Sequence, residues 1–330
     1  MTTADTPDRS RAGKRILVVG ASGFLGRSVV RSFSRAGYEV RGLVRDPAKG
    51  VRVQEDGGTP VVGDVLNVRS LEKAASGCFG AIHLAANPPS ESDTVRVRVE
   101  GTRNILEAAG RRGVGRVVIG SGYWVYRGRP ELIRENSPVD PRGESRINYD
   151  AERAGMEANS PGELDVLAVR PGMVYGNGSW FQDVATAIRS GKYRLVGDGR
   201  NRWSFVDRWD AGTAFRTVLE SGKAGEVYNV VDGHPATLRE FTDFVATELE
   251  VPPPVSMTLE AAVGEMGDAV AHHLAADRPT SNDKLSQLGW RARVSSYRDG
   301  IPDLLREMFP LDRRTRSGVG SAPVLRPVRR

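Results

Sequence analysis

The sequence predicts an α/β protein: a doubly wound parallel sheet with a smaller C-terminal domain. Three observations carry this expectation. A glycine-rich turn joins an apolar strand to a helical pattern near the start of the chain. Strand and helix signals then alternate as far as about residue 170. Beyond Tyr175 the rhythm becomes irregular.

The first observation rests on residues 16–26, which read Ile-Leu-Val-Val-Gly-Ala-Ser-Gly-Phe-Leu-Gly. Four consecutive apolar residues, three of them β-branched, predict a strand buried on both faces. Gly20, Gly23 and Gly26 follow, and a helical pattern runs on through Val29, Val30 and Phe33. A strand, a glycine turn and a helix in that order form the dinucleotide-binding unit of a Rossmann-type sheet. The first glycine turns the chain, the second admits the pyrophosphate, and the third lets helix and strand pack. The free N–H groups at the helix start then meet phosphate charge.

Further strands are expected at about 38–44, 60–62, 80–85, 116–119 and 165–169. Helices are expected at 66–75, 93–109 and 148–158. Such βαβα alternation implies a parallel sheet with its ligand crevice beyond the carboxyl ends of the strands. After Tyr175, helices are expected at 181–188, 210–219, 238–249 and 259–274, with a strand at 226–231. The expected organisation is a disordered polar tail over 1–14 and a dinucleotide-binding domain over 15–175, its sheet re-entered by about 203–231. A substrate domain would comprise 176–202 and 232–311, and a basic tail 312–330.

Composition excludes several classes. The 330 residues are 39% hydrophobic and 27% charged, ordinary for a globular protein. No apolar run is long enough to span a membrane, and the polar start is unlike a signal peptide. The net charge of +6 comes from six Arg between 313 and 330, so the rest of the chain is neutral. That argues against a nucleic-acid-binding surface on the folded part. Cys78 is the only cysteine, which leaves no intrachain disulfide and no cysteine-based zinc site. No metal is expected. A cytoplasmic monomer or homodimer acting on a small molecule is the simplest expectation.

Several motifs in order resemble the extended short-chain dehydrogenase/reductase family over roughly residues 15–305. Gly20-Ala-Ser-Gly-Phe-Leu-Gly26 is similar to its glycine loop, and Val62-Gly-Asp-Val65 to the segment whose Asp contacts adenine. His83-Leu-Ala-Ala86 resembles the strand end beside the cofactor, and Arg170-Pro-Gly-Met-Val-Tyr-Gly176 the loop over the nicotinamide. The resemblance implies cofactor contacts from Gly20, Ser22, Gly23, Phe24, Leu25, Gly26, Asp64, Val65, Ala85, Ala86 and Pro171.

Cofactor choice follows from charge. A carboxylate ending the second strand would bind a ribose 2′-OH and repel a 2′-phosphate. Here the strand ends Gly-Leu-Val-Arg45. Arg45, with Arg27 as a second partner, suits the phosphate of NADP. The competing reading is two solvated arginines in an Arg-rich chain.

The resemblance implies a Tyr and a Lys four apart on a helix, a Ser or Thr after the fifth strand, and an Asn on the preceding helix. Tyr149 occupies the expected place, but Arg153 replaces Lys. Gly122 falls where the hydroxyl belongs, with Ser121 one residue early, and Arg98 stands at the Asn position. The candidate catalytic residues are therefore Tyr149, Ser121 and Arg153, with Arg153 also facing the cofactor. A phenol donates poorly until a cation stabilises its anion, and Arg cannot relay a proton. A missing oxyanion donor costs about 2.7–4 kcal/mol if nothing replaces it. The pattern resembles atypical polyketide ketoreductases of the superfamily, such as those acting on angucyclinones, and implies substrate-assisted proton transfer.

Two other functions stay open. A nucleotide-sugar epimerase, dehydratase or reductase would use Arg189, Arg194, Arg200 and Arg278 for a diphosphate. A non-catalytic NADP-binding sensor would need the glycine loop alone. Tyr123, Trp124 and Tyr126 either stack on a flat substrate or form core. His83 and Cys78 read as packed residues, and the adjacent His272 and His273 as surface.

Overall fold

The computed structural model describes residues 13–86 and 91–310, so the tails expected at the two ends lie almost wholly outside the described residues. The chain opens with β1 (Arg15–Val19), α1 (Phe24–Arg35), β2 (Glu39–Val44), α2 (Gly50–Glu55) and β3 (Thr59–Val62). After α3 (Val68–Ala75) and β4 (Cys78–His83) comes one long helical stretch. It begins as α4 (Glu91–Val95), widens to π geometry over Arg96–Glu100 and continues as α5 (Gly101–Arg112). Next come β5 (Arg116–Gly120), α6 (Glu144–Glu157) and β6 (Asp165–Pro171).

Beyond it lie β7 (Met173–Tyr175), α7 (Trp180–Arg189), β8 (Arg194–Val196), β9 (Arg202–Trp203) and β10 (Phe205–Asp207). The chain then re-enters the main sheet through α8 (Arg208–Ser221) and β11 (Val227–Val230). Seven strands form this sheet in the order β11-β6-β5-β4-β1-β2-β3, every neighbouring pair parallel. The order reverses beside β1: β2 and β3 step away on one side, while β4 returns on the other. A crevice therefore opens over the carboxyl ends of β1 and β4.

Both faces of the sheet are covered. One buries Ile16, Val18, Val118 and Val169 against α1 and α8, the other Leu17, Val19, Val117 and Ile119 against α3 and α5. Val and Ile dominate because a strand buried on both faces rewards branched side chains that fill the pleat. A third core gathers Tyr123, Tyr126, Phe181, Trp203, Phe205, Phe241 and Tyr297. It joins the loop after β5 to the C-terminal half, and its Phe205 and Phe241 rings stack at 4.5 Å.

One expectation for the later half is corrected. The single helix expected at 259–274 is two, α10 (Leu259–Met266) and α11 (Asp268–Ala275), following α9 (Leu238–Glu248). They part at Gly267, whose φ of +84° is a left-handed conformation that glycine adopts at little cost. After α12 (Asp283–Gln287), α13 (Tyr297–Met308) closes the aromatic core. None of the expected helices covers it; Ser296 and Asp299 form a reciprocal capping box at its start.

Candidate cofactor cleft and active site

The glycine turn is built for close approach. Gly20 has φ +87°, and a Cβ there would lie 2.7 Å from the backbone N of Ala85. At Gly26 an added Cβ would fall 2.0 Å from the carbonyl oxygen of Gly20, so the first turn of α1 rests directly on the end of β1. Gly23 caps α1 without a side chain, which leaves the helix's first N–H groups facing the crevice.

Two cavities line up along the strand ends. The first, about 560 Å³, is walled by Gly20, Ser22, Gly23, Arg45, Val65, Ala85 and Ala86. The second, about 370 Å³, shares Gly20, Gly23 and Ala86 and adds Phe24, Leu25, Gly26 and Ser121. A concave, glycine-floored trough ending at a bare helix N-terminus fits a dinucleotide's pyrophosphate. Asp64 and Pro171 are absent from both walls. The Asp64 carboxylate accepts from Leu66 N at 2.9 Å and so shapes the turn after β3. Pro171 ends β6, buried.

Arg45 stands at the outer end of the first cavity, joined by Lys49 and Arg52, with Asp46 the one acid beside them. Sequence reasoning missed Lys49 and Arg52, although one helical turn separates them. The Asp46 side chain is engaged in capping, accepting from Ala48 N at 2.9 Å. Arg27 does not join this group. Its guanidinium pairs with Asp56 at 2.6 Å and Glu55 at 3.0 Å, anchoring α1 to the end of α2.

At the inner end, the structure brings Ser121 together with Arg98, Glu144 and Asn148. Arg98 is 4% exposed. Its guanidinium donates to two carbonyls, Gly120 O at 2.5 Å and Ala85 O at 3.4 Å, and so spans the ends of β5 and β4. Its Nε is buried without a partner, as is the Ser121 hydroxyl. Burial pulls the Arg98 pKa down to about 10. Arg98 lies within the π-helical turn, a distortion that often re-aims a side chain at a functional site. His83, wholly buried, is held neutral with a pKa of about 3, first by burial and then by Arg98.

The structure does not bring Tyr149 and Arg153 to this wall. Glu144, Asn148 and Glu152 fall four apart on the inner face of α6. Glu152 is buried in an ion pair with Arg170 on β6. Tyr149 is turned about 100° from Asn148 and packs, partly buried, against the aromatic core. Arg153 points outward, 54% exposed and paired with Glu157 at 2.9 Å.

Of the aromatic residues after β5, Tyr123 and Tyr126 are fully buried core, while Trp124 is partly open. His273, expected on the surface, instead stacks on Trp124 with ring centroids 3.5 Å apart. Among the described residues, no helix is long and apolar enough to cross a membrane.

A parallel sheet with a crevice at its switch point, a glycine turn and a bare helix N-terminus define a dinucleotide-binding enzyme scaffold. Residues 16–231 match the model of the NAD dependent epimerase/dehydratase family. The chain belongs to this family, the extended branch of the short-chain dehydrogenases/reductases, and is an oxidoreductase of that group. It is 30% identical to a 3-diazoavenalumate denitrifying reductase of a Streptomyces species, over 87% of this chain and 99% of that protein. It is 31% identical to the 4-hydroxy-2-methyl-3-oxo-4-farnesyl-3,4-dihydroquinoline-1-oxide ketoreductase of Stigmatella aurantiaca, over 69% of this chain and 71% of that one. Among solved structures, it is similar to a dTDP-glucose 4,6-dehydratase from Streptomyces venezuelae with NAD bound. The TM-score there is 0.75 and the identity 26%, covering 91% of this chain and 98% of that one.

Proposed function

We propose that the protein is an NADP-dependent ketoreductase acting on a small aromatic carbonyl compound of the polyketide type. The observation that carries this reading is the Arg98–Ser121 wall. A buried cation with an unpartnered Nε and a buried hydroxyl with no partner stand together at the inner end of the cleft. Both are donors suited to negative charge gathering on a substrate oxygen. When bound, the nicotinamide supplies the hydride. Ser121 and Arg98 hold the substrate oxygen as it gains charge.

Proton delivery then falls to the substrate. Tyr149 is turned from the cleft wall, and the guanidinium of Arg98 remains mostly charged with its pKa near 10. A phenol beside the ketone would supply the proton within the molecule. Arg45, Lys49 and Arg52 support NADP, because three cations against one acid favour a 2′-phosphate over a bare ribose. The similar ketoreductase of Stigmatella aurantiaca, named for a dihydroquinoline substrate, supports a ring-bearing class.

The nucleotide-sugar alternative finds none of its four arginines on the walls of the two cleft cavities. Arg189 lies over the Phe309 ring at 4.6 Å, Arg194 and Arg200 are exposed, and Arg278 is buried beside Trp124. The test is NADPH oxidation with hydroxyquinones, aryl ketones and nucleotide sugars as substrates. Turnover confined to aromatic carbonyls is expected. Turnover confined to nucleotide sugars, or NADPH binding without turnover of any of them, would overturn the reading.

A further inference from the structure

A third cavity, of about 250 Å³, adjoins the inner end of the cleft. Two stretches of chain form the shared wall. Glu144 lines the cleft and Ser145 the cavity, and consecutive Cα atoms are about 3.8 Å apart. Ser121 lines the cleft and Trp124 the cavity, three residues on and so at most about 11 Å away.

The cavity is short of negative charge. Arg127, Arg142 and Arg278 line it, against the single carboxylate of Asp140. That carboxylate pairs with Arg142 at 3.1 Å, and Arg278 feels it only through space. Arg278 is 7% exposed, and its guanidinium lies 4.9 Å from the Trp124 ring centroid. Its Nε donates to Tyr126 O at 3.2 Å and its Nη1 to His273 O at 3.1 Å. These carbonyls satisfy hydrogen bonds and fix the side chain, but they do not neutralise a full positive charge. His273 adds no counter-charge, since burial first and Arg278 second hold it neutral. A buried cation left in this state is costly unless an anion completes it.

We infer that this cavity binds an oxyanion carried on an arm of the substrate, held by Arg278 and Arg127 while the carbonyl sits at Ser121. The inference rests on the ketoreductase reading and narrows its substrate class to carbonyl compounds bearing a carboxylate or a phosphate. Arg is suited to either, through two parallel N–H bonds. The volume is below the roughly 300–1,000 Å³ that houses a whole drug-sized ligand, so the cavity takes one anionic group.

The experiment titrates the full-length protein, saturated with NADP⁺, with 2-naphthoate, 2-naphthyl phosphate and 2-naphthamide by calorimetry. At least one anion should bind tenfold or more tighter than the amide, and the tighter of the two identifies the group. Arg127→Gln should weaken that anion about fivefold or more and leave the amide and NADP⁺ affinities unchanged. Arg278→Lys is the second variant, expected to act in the same direction with the fold checked by circular dichroism. Equal affinities for all three ligands, or an equal loss for all three in Arg127→Gln, would overturn the inference. The ketoreductase reading is separated by kinetics with 2-acetylnaphthalene and 6-acetyl-2-naphthoate. Anion binding without turnover of either ketone removes the reductase reading alone. Turnover of both with one KM removes the anion site alone.

Discussion

Glu152 of α6 and Arg170 of β6 form a buried, two-point ion pair. The Arg170 Nε donates to Glu152 Oε2 at 2.9 Å, and Nη2 donates to Oε1. The two side chains are 4% and 5% exposed. Arg170 also lies over the Tyr126 ring at 4.7 Å, and Tyr126 donates to Asn229 at 2.7 Å. This pair ties α6 to β6 beside the cleft.

Breaking the pair should therefore cost both stability and alignment. Glu152→Gln leaves the Arg170 charge buried without its partner, a loss of about 3–5 kcal/mol for a pair of this kind. Urea unfolding followed by circular dichroism measures it. Replacing both residues together, Glu152→Leu with Arg170→Met, should cost less than Glu152→Gln alone. A double variant less stable than the single one would show that the pair contributes more than the avoidance of an orphaned charge.

The glycine loop separates packing from ligand access. Gly26→Ala should destabilise the β1–α1 unit, since its Cβ would sit 2.0 Å from Gly20 O. Gly23→Val should fold, its Cβ being 3.2 Å from the same oxygen, but bulk in the trough should abolish NADPH binding. Thermal unfolding and fluorescence titration of the two variants distinguish these effects. Undiminished NADPH binding by folded Gly23→Val would remove the trough as the pyrophosphate site.

For the cofactor, Arg45→Ala should weaken NADPH by about 1.5–3 kcal/mol, the range for hydrogen bonds to charged groups, and leave NADH nearly unchanged. Adding Lys49→Ala and Arg52→Ala should bring the two cofactors close to parity. Equal weakening of both by Arg45→Ala would assign that residue to the fold.

Much of this was legible in the sequence because local patterns dictate it. The apolar strands, Gly20 and Gly26 declare the sheet and its turn, since only glycine fits those contacts. The orientation of α6 was not legible. Its Tyr149 and Arg153 match the family spacing, but α6 is tied to β6 through Glu152 and Arg170, 18 residues apart and on different elements. Arg27 illustrates the same limit. It follows the glycine loop as a phosphate ligand would, yet Asp56, on the far side of β2, claims it. Pairing across elements leaves no period for a sequence to show.

Asp232 should make stability depend on pH. It is 7% exposed, with Oδ1 accepting from His234 N at 2.8 Å and Oδ2 buried without a partner. Burial, together with the neighbouring Asp210, raises its pKa to about 7. The folded state therefore holds a proton that the unfolded chain releases near pH ~4. Stability from this group is full below that pH and is lost as pH rises towards 7. Asp232→Asn should flatten that slope by a few kcal/mol in urea-unfolding series at different pH. A slope unchanged in Asp232→Asn would place the proton elsewhere.

The identity of the proton donor is the sharpest test of the proposed chemistry. If Tyr149 is turned to the aromatic core, Tyr149→Phe should reduce turnover only a few-fold, against the ~10²–10⁴ expected for a positioned general acid. Arg98→Met should be severe, lowering kcat by about 10²–10³ as removal of an oxyanion donor does. NADPH affinity should barely change in Arg98→Met, and Arg98→Lys should recover part of kcat because it restores a cation. If the substrate carries its own acid, methylating the hydroxyl beside its ketone should cost as much as the Arg98 change. Methylation and Arg98→Met would then remove independent contributions to one rate-limiting step, and their losses would multiply. A large loss in Tyr149→Phe, with the methylated substrate fully active, would return the proton to the tyrosine.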